Sequence, residues 1–221
     1  MKILVIDIGG SHVKVLASGQ RTPTKLPSGP DLTPRKMVKL VLDATEGWNV
    51  DAISIGYPGP VERNRPVKDP VNLGRGWVRF DYKKAFGRPV RMVNDAAMQA
   101  IGSYEGGKML FMGLGTGLGT CLIMDGAVVP LEVAHLPYDD GATYEEFLGE
   151  AGMDDLGKRR WRKHVMHVVD LFLAAFNADY VVLGGGNVRH MKELPKYVRR
   201  GGNENAFRGG FRLWKEERRR R

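Results

Sequence analysis

The sequence predicts an α/β protein built as two halves of similar design, and three observations carry that expectation. Apolar runs rich in β-branched residues, such as Ile3-Leu4-Val5-Ile6 and Val181-Val182-Leu183, are short and end at glycines, as buried strands do. Segments with apolar residues at helical spacing alternate with them. The order strand, glycine turn, strand occurs twice, at Asp7 and at Gly113, which points to a duplicated architecture. With 221 residues, 43% apolar and 27% charged, the chain is long enough for two lobes of roughly 100 residues each. We expect an N-terminal α/β lobe over residues 1–105 and a C-terminal α/β lobe over residues 106–221, with the C-terminal segment free to pack back on the first.

Residues 2–8 form the first strand, Gly9-Gly10 turns the chain, and Val13-Lys14-Val15-Leu16 resumes as strand, giving a hairpin. Thr33-Pro34 supplies an N-cap and a first-turn proline for a helix whose Met37, Val38, Val41 and Leu42 share a face before Gly47. Residues 51–56 make the next strand, which Tyr57-Pro58-Gly59-Pro60 stops, and a loop rich in Pro, Asn and Gly runs to Trp77. A strand over 89–93 leads into Asn94-Asp95, and a compact helix of small and apolar residues follows over 96–104. Strands at 109–112 and 119–124 flank the glycine-rich turn of residues 113–119. Residues 157–177 carry Trp161, Val165, Val168, Val169, Phe172 and Phe176 at helical spacing, the mark of a long core helix. A strand over 180–183 closes on Gly184-Gly185-Gly186-Asn187.

Composition excludes several classes. Cys121 is the one cysteine, so an intramolecular disulfide and any zinc site needing two thiolates are ruled out, and a reducing cytoplasm is the expected setting. The longest uncharged stretch, 109–124, is glycine-rich and falls short of the ~20 apolar residues of a membrane helix, and the N-terminus lacks the apolar core of a secretory signal. The formal net charge is +9. Residues 187–221 hold twelve Lys/Arg against four Asp/Glu, so eight of the nine net charges are C-terminal. Such asymmetry suits a polyanion partner: polyphosphate, nucleic acid or a membrane surface. The last four arginines read as well as a solvated tail, whereas the basic run at 158–163 is expected to be ordered.

Four groups of residues can carry chemistry. Asp7-Ile8-Gly9-Gly10-Ser11-His12-Val13-Lys14 sets an acid at a strand end before two glycines, a hydroxyl and a lysine. Glycines let backbone N–H groups approach a phosphate, and the acid can hold Mg²⁺ directly or through water; a plain hairpin turn is the alternative. Gly115-Thr116-Gly117 lies in a second such turn, which matches neither a P-loop nor a dinucleotide fingerprint. Asp95, at a strand-to-helix junction, is placed as a general base for an alcohol attacking phosphorus, or else as the cap of its helix. Glu132, His135 and Glu145 can recognise sugar hydroxyls, or are ordinary surface residues.

These elements occur in order, and with them the chain resembles the ROK (repressor, open reading frame, kinase) family of sugar kinases, most of all its polyphosphate glucokinase branch. The resemblance runs nearly end to end. It includes Asp-Ile-Gly-Gly at 7, Ser-Ile-Gly-Tyr-Pro-Gly-Pro at 54, Asn-Leu-Gly-Arg-Gly-Trp at 72, Asn-Asp-Ala-Ala-Met-Gln-Ala at 94 and Gly-Leu-Gly-Thr-Gly-Leu-Gly-Thr at 113. It continues through Glu-Val-Ala-His-Leu-Pro at 132, Thr-Tyr-Glu-Glu-Phe-Leu-Gly at 143, Leu-Gly-Gly-Gly-Asn at 183 and Asn-Ala-Phe-Arg-Gly-Gly-Phe-Arg-Leu-Trp at 205. Three departures stand out. The cysteine-rich zinc motif of many members is missing, as in the polyphosphate branch; His12 stands where the pattern has glycine; and Val133-Ala134 replace Leu-Gly or Ile-Gly. The chain is also somewhat short for the branch, which allows a trimmed nucleotide subsite.

The resemblance implies a two-lobed, actin-like (ribonuclease H-like) ATPase fold with an active cleft between the lobes, and phosphorylation of the 6-hydroxyl of glucose. It implies Asp95 as catalytic base and Asn94, Glu132, His135, Glu145, Gly59 and Asn72 as sugar-binding positions. Asp7, Gly9, Gly10, Ser11 and Lys14, with Gly115, Thr116 and Gly117, match its phosphate motifs, and Gly184, Gly185, Gly186 and Asn187 its nucleotide-side loop. Polyphosphate or ATP is the implied donor, Mg²⁺ the cofactor and a homodimer the implied assembly, with no nucleic-acid or membrane partner. The rival expectations are an ATP-dependent hexokinase for glucose, mannose or another hexose, and a non-catalytic sugar-binding regulator. A DNA-binding regulator is disfavoured because Met1 leads directly into the first strand and the basic C-terminus shows no recognition-helix pattern.

Overall fold

The computed structural model describes residues 1–202 and 204–214; Arg218 to Arg221, read above as a tail, lie outside the described residues. The chain divides into two compact units, one formed by Met1–Met98 with the segment from Ala206, the other by Gln99–Asn205.

In the first unit β1 (Ile3–Ile8), β2 (His12–Ala17) and β3 (Thr24–Pro27) form an antiparallel meander. α1 (Pro34–Ala44) leads to β4 (Ala52–Tyr57), which pairs parallel with β1. The stretch expected as loop holds a small pair, β5 (Val61–Glu62) and β6 (Arg65–Pro66), and is followed by a short helix α2 (Tyr82–Phe86). β7 (Val90–Asn94) then pairs parallel with β4 and runs straight into α3 (Asp95–Ser103), within which the boundary between units falls. The sheet order is β3-β2-β1-β4-β7. Thr33 caps α1 through its hydroxyl, which accepts the N–H of Lys36, and Pro34, Met37, Val38 and Val41 are buried. Leu42 departs from its expected place and is 45% exposed. At about 100° per residue it sits a further 100° round from Val41, beyond the edge of the apolar stripe.

The second unit opens with another meander, β8 (Lys108–Leu114), β9 (Leu118–Met124) and β10 (Ala127–Leu131). A short pair, β11 (Pro137–Asp139) and β12 (Ala142–Thr143), precedes α4 (Tyr144–Leu148) and α5 (Glu150–Ala175). β13 (Tyr180–Gly184) pairs parallel with β8, and β14 (Val198–Arg200) parallel with β13, so the order β10-β9-β8-β13-β14 repeats that of the first sheet strand for strand. The twofold sequence pattern is thus a twofold topology. α5 begins earlier than its apolar stripe, with a break at Gly157 (φ 70°, ψ 150°), and the stripe of Trp161, Val165, Val168, Val169 and Phe172 packs on Leu110, Met112, Val181 and Leu183.

From Ala206 the chain returns to the first unit as α6 (Glu204–Arg212), which lays Ala206 and Phe207 against Ile3, Val5, Leu16 and Met98 of α3. The fully buried Ser54 of β4 donates its hydroxyl to the carbonyl of Gly210 at 2.6 Å and accepts the indole N–H of Trp214 at 2.9 Å. Arg91 of β7 donates to the carbonyl of Leu213 and lies 4.4 Å over the Trp214 ring. Side chains alternate along a strand, so Asp7 emerges on the face of Ile3 and Val5. Asp95 is one turn before Met98 on α3, which brings it to that same side of the sheet.

Candidate active site

In the first unit the acid of the first glycine motif is mostly buried. The Asp7 side chain is 15% exposed, at the end of β1 opposite Lys14 of β2, and its Oδ2 is 3.8 Å from Lys14 Nζ. Burial pushes the Asp7 carboxyl above its ordinary range, and the Lys14 ammonium draws it partly back. Lys14→Met therefore raises the Asp7 pKa further, and NMR titration of the Asp7 carboxyl carbon is expected to show its midpoint moving to higher pH. An unchanged midpoint would sever the link between the two groups.

The glycine turn is closed by the N–H of Gly9 donating to the His12 carbonyl at 3.0 Å, while Ser28 Oγ donates to the Gly9 carbonyl at 2.7 Å. That N–H is engaged in the turn, whereas Gly10 and Ser11 are exposed. His12 opens β2 without a positive φ, so its side chain is accommodated where the family pattern has glycine. A Cβ added to Gly10 would stand 3.9 Å from Cβ of Asn72, so the Asn72 loop lies beside the turn. That loop is held by Asp69, whose carboxylate accepts the N–H groups of Gly76 (3.1 Å) and Trp77 (2.8 Å), and these bonds lower its pKa. No spacing signal marks Asp69 in the sequence.

At the end of β7 the two adjacent polar residues divide their work. Asn94 Oδ1 accepts the N–H of Ala97 at 3.1 Å, the bond of an N-cap, and its Nδ2 donates to the Gly59 carbonyl at 3.2 Å, joining two expected sugar-binding positions. The capping role considered for Asp95 thus belongs to Asn94. Asp95, partly exposed, begins the helix, and its Oδ1 accepts the N–H of Ala96 at 2.8 Å.

In the second unit β8 and β9 meet in the turn Gly115-Thr116-Gly117, with the Gly115 N–H donating to the Gly117 carbonyl at 3.1 Å. Glu145 reaches this turn from α4. Its Oε1 accepts the N–H of Leu118 at 3.2 Å and stands 2.0 Å from where a Cβ on Gly117 would be, so only glycine leaves room for it. Glu145 Oε2 is 3.9 Å from His135 Nδ1, which brings two of the expected sugar ligands together, both open to solvent. Glu132, exposed at the start of the same short turn, has no polar contact with either among the described residues. The position of Glu145 depends on a capping box that the sequence displays as Thr143-x-x-Glu146 and that the motif reading passed over. Thr143 Oγ1 accepts the Glu146 N–H, and Glu146 Oε2 accepts the Thr143 N–H at 2.7 Å.

Gly184 ends β13, Gly185 follows at φ 81°, and Gly186 opens a short 3-10 turn, Gly186–His190. The buried Asn187 donates its amide to the Gly115 carbonyl at 3.2 Å, which ties this loop to the Gly115-Thr116-Gly117 turn. Cys121 is buried and its thiol pushed up to about 12, an inert core residue. Among the described residues no three His, Cys, Asp or Glu gather as a metal cluster. Magnesium does not require one, since it is commonly held by one or two carboxylates with substrate phosphates and water, and Asp7 beside its glycine turn fits that pattern. Among the described residues no helix is long and apolar enough to cross a membrane.

No protein-family model matches the chain. It is 28% identical over 204 residues to the polyphosphate glucokinase of Mycobacterium leprae, a match covering 82% of this chain and 62% of that one. The chain therefore spans about three-fifths of the length of that relative. Among solved structures it resembles the inorganic polyphosphate/ATP-glucomannokinase of Arthrobacter sp. strain KM, with TM-score 0.78, 21% identity and coverage of 98% and 99% of the two chains. It also resembles a ROK family glucokinase of Streptomyces griseus in complex with glucose and AMPPNP, with TM-score 0.72, 16% identity and coverage of 98% and 100%. The second of these neighbours is a ROK family sugar kinase, and the chain has the actin-like ATPase fold of such kinases. By sequence this chain is a relative of the polyphosphate glucokinases, and by structure it has the fold of the ROK sugar kinases.

Proposed function

We propose that the chain is a glucokinase that phosphorylates the 6-hydroxyl of glucose, with inorganic polyphosphate as donor and ATP as the alternative. The observation that carries the reading is the junction of β7 and α3. There Asn94 takes over the cap of the helix and a second carboxylate, Asp95, stands on the Asp7 side of the sheet. Asp95 accepts the proton of the sugar hydroxyl as that oxygen forms its bond to the terminal phosphorus. The bridging P–O bond breaks, and the donor, one phosphate shorter, leaves with the electron pair. His135 and Glu145 hydrogen-bond sugar hydroxyls and fix the attacking oxygen, and Asn94, Gly59 and Asn72 are sugar-binding positions of the first unit. Backbone donors of the two glycine turns stabilise charge on the phosphoryl oxygens. Magnesium, held at Asp7 when bound, supplies further neutralisation there. A homodimer in the cytoplasm is the setting that the family resemblance favours.

The test is a purified-protein assay in which glucose is offered with polyphosphate and with ATP separately. Glucose 6-phosphate is expected with polyphosphate, and its rate at subsaturating long-chain donor should fall steeply as salt is raised, because a long polyanion bound by many cations is screened more than a small donor. Turnover with ATP alone would make this a nucleotide-dependent hexokinase; a salt-insensitive polyphosphate affinity would count against charge as the basis of donor binding.

A further inference from the structure

We propose that Lys158, Arg162 and Arg189, gathered on the second unit around the turn that follows β13, form a track for the length of an inorganic polyphosphate chain beyond the phosphate that reacts. The proposal rests on polyphosphate being the donor. Trp161 and Val165 face the core from α5, and just beyond the break at Gly157 the exposed Lys158 and the half-buried Arg162 are neighbours at i and i+4. Arg162 Nη1 donates to the His190 carbonyl at 3.2 Å, which fixes that face against the Gly186–His190 turn. Arg189 Nε donates to His190 Nε2 at 3.2 Å, so the imidazole is an acceptor and adds no charge of its own. Burial and then the charges of Lys158, Arg189 and Arg162 hold the pKa of His190 below its ordinary value, as expected where cations converge on one imidazole.

Among the described residues these cations meet no carboxylate. Asp154 and Asp155 precede Lys158 and Arg159 by four residues, the spacing of a helical ion pair, but the break at Gly157 removes that register. Among the described residues no carboxylate forms an ion pair with Lys158, Arg162 or Arg189. Like charges held close without a counter-ion repel one another, and an anion bound along them relieves that cost. The same turn contains Asn187, whose amide grips the Gly115 carbonyl, and Arg200 braces it through the carbonyls of Val188 (2.8 Å) and Met191 (2.6 Å). The turn that carries Arg189 is therefore hydrogen-bonded to the Gly115 turn through Asn187, and this adjacency favours an extended phosphate polymer over an unrelated polyanion.

The experiment compares the full chain with the double variant Lys158→Gln/Arg189→Gln and with Lys39→Gln on α1 as a control for charge loss elsewhere. Binding of long-chain polyphosphate is measured calorimetrically at several salt concentrations, alongside tripolyphosphate and a single-stranded DNA of matched charge. The double variant is expected to bind the long chain about tenfold more weakly or worse, with the slope of log affinity against log salt smaller by about two. Its affinity for tripolyphosphate should stay within about twofold, which also reports an intact fold, and Lys39→Gln should match the native chain. Equal binding of the long chain by native and double-variant proteins would overturn the track, as would DNA competing as well as polyphosphate. Absence of glucose 6-phosphate formation from polyphosphate by the native chain would instead overturn the donor assignment on which the track depends.

Discussion

Asp95→Asn is expected to lower kcat by about 10³-fold, within the range that general-base catalysis contributes, while leaving glucose affinity within a few-fold of native. The side-chain change is nearly isosteric. An asparagine oxygen can still accept the N–H of Ala96, as Asp95 Oδ1 does at 2.8 Å, and the cap of α3 is supplied by Asn94, so neither bond accounts for a loss of activity. The carboxylate charge is lost, and with it the ability to take a proton. Steady-state kinetics with glucose and a phosphoryl donor, together with calorimetric glucose titration of both proteins, check this. A variant that turns over at the native rate would remove Asp95 from the chemistry, and one that loses glucose binding and stability together would make it a structural residue.

The second large effect is expected from Gly185→Ala. Gly185 sits at φ 81° and ψ 168°, a region that is open to glycine and strained for other residues, and a Cβ there would come within 2.3 Å of the Leu114 carbonyl oxygen. Neither partner is a flexible side-chain end, so the end of β8 or the loop itself has to move. A loss of about 3 kcal/mol is expected from strain and overlap together, which in a chain of this size lowers Tm by about 6–12 °C. The displaced loop also carries Asn187 and its bond to Gly115, so the donor KM should rise. Gly186→Ala is the internal control: nothing lies within 4 Å of its Cβ position and its φ is not positive, so its Tm should stay within about 2 °C of native. Equal behaviour of the two variants in thermal unfolding would refute the argument.

Much of this architecture is legible before any coordinates, for identifiable reasons. Short β-branched runs ended by glycines are the local signature of buried strands, and β1, β4, β8 and β13 are found where those runs stand. The long stripe from Trp161 to Phe172 has a period that only a helix satisfies, although the break at Gly157 and the turns before it carry no stripe, so α5 begins seven residues before the expected start at 157. α2 is five residues long, too short for periodicity to register, and it shows only its Asp81 cap and Gly87 end. The return of α6 to the first sheet is settled by Ser54 and Gly210, 156 residues apart, and no window along the sequence contains both. The chemistry divides in the same way. The glycine turns, Asp7 and Asp95 are local motifs, whereas the pairing of Asn94 with Gly59 and of Glu145 with the Leu118 N–H appears only once the strands are in register.

The claim beneath all of this is that the chain transfers a phosphoryl group to a hydroxyl of glucose. Phosphorus NMR of the purified protein incubated with glucose, magnesium and either polyphosphate or ATP tests it most directly. The account predicts a new phosphomonoester resonance split by the two protons on C6 of the sugar, growing as donor phosphate is consumed; donor that stays intact, or is merely hydrolysed to inorganic phosphate with both donors, would contradict it.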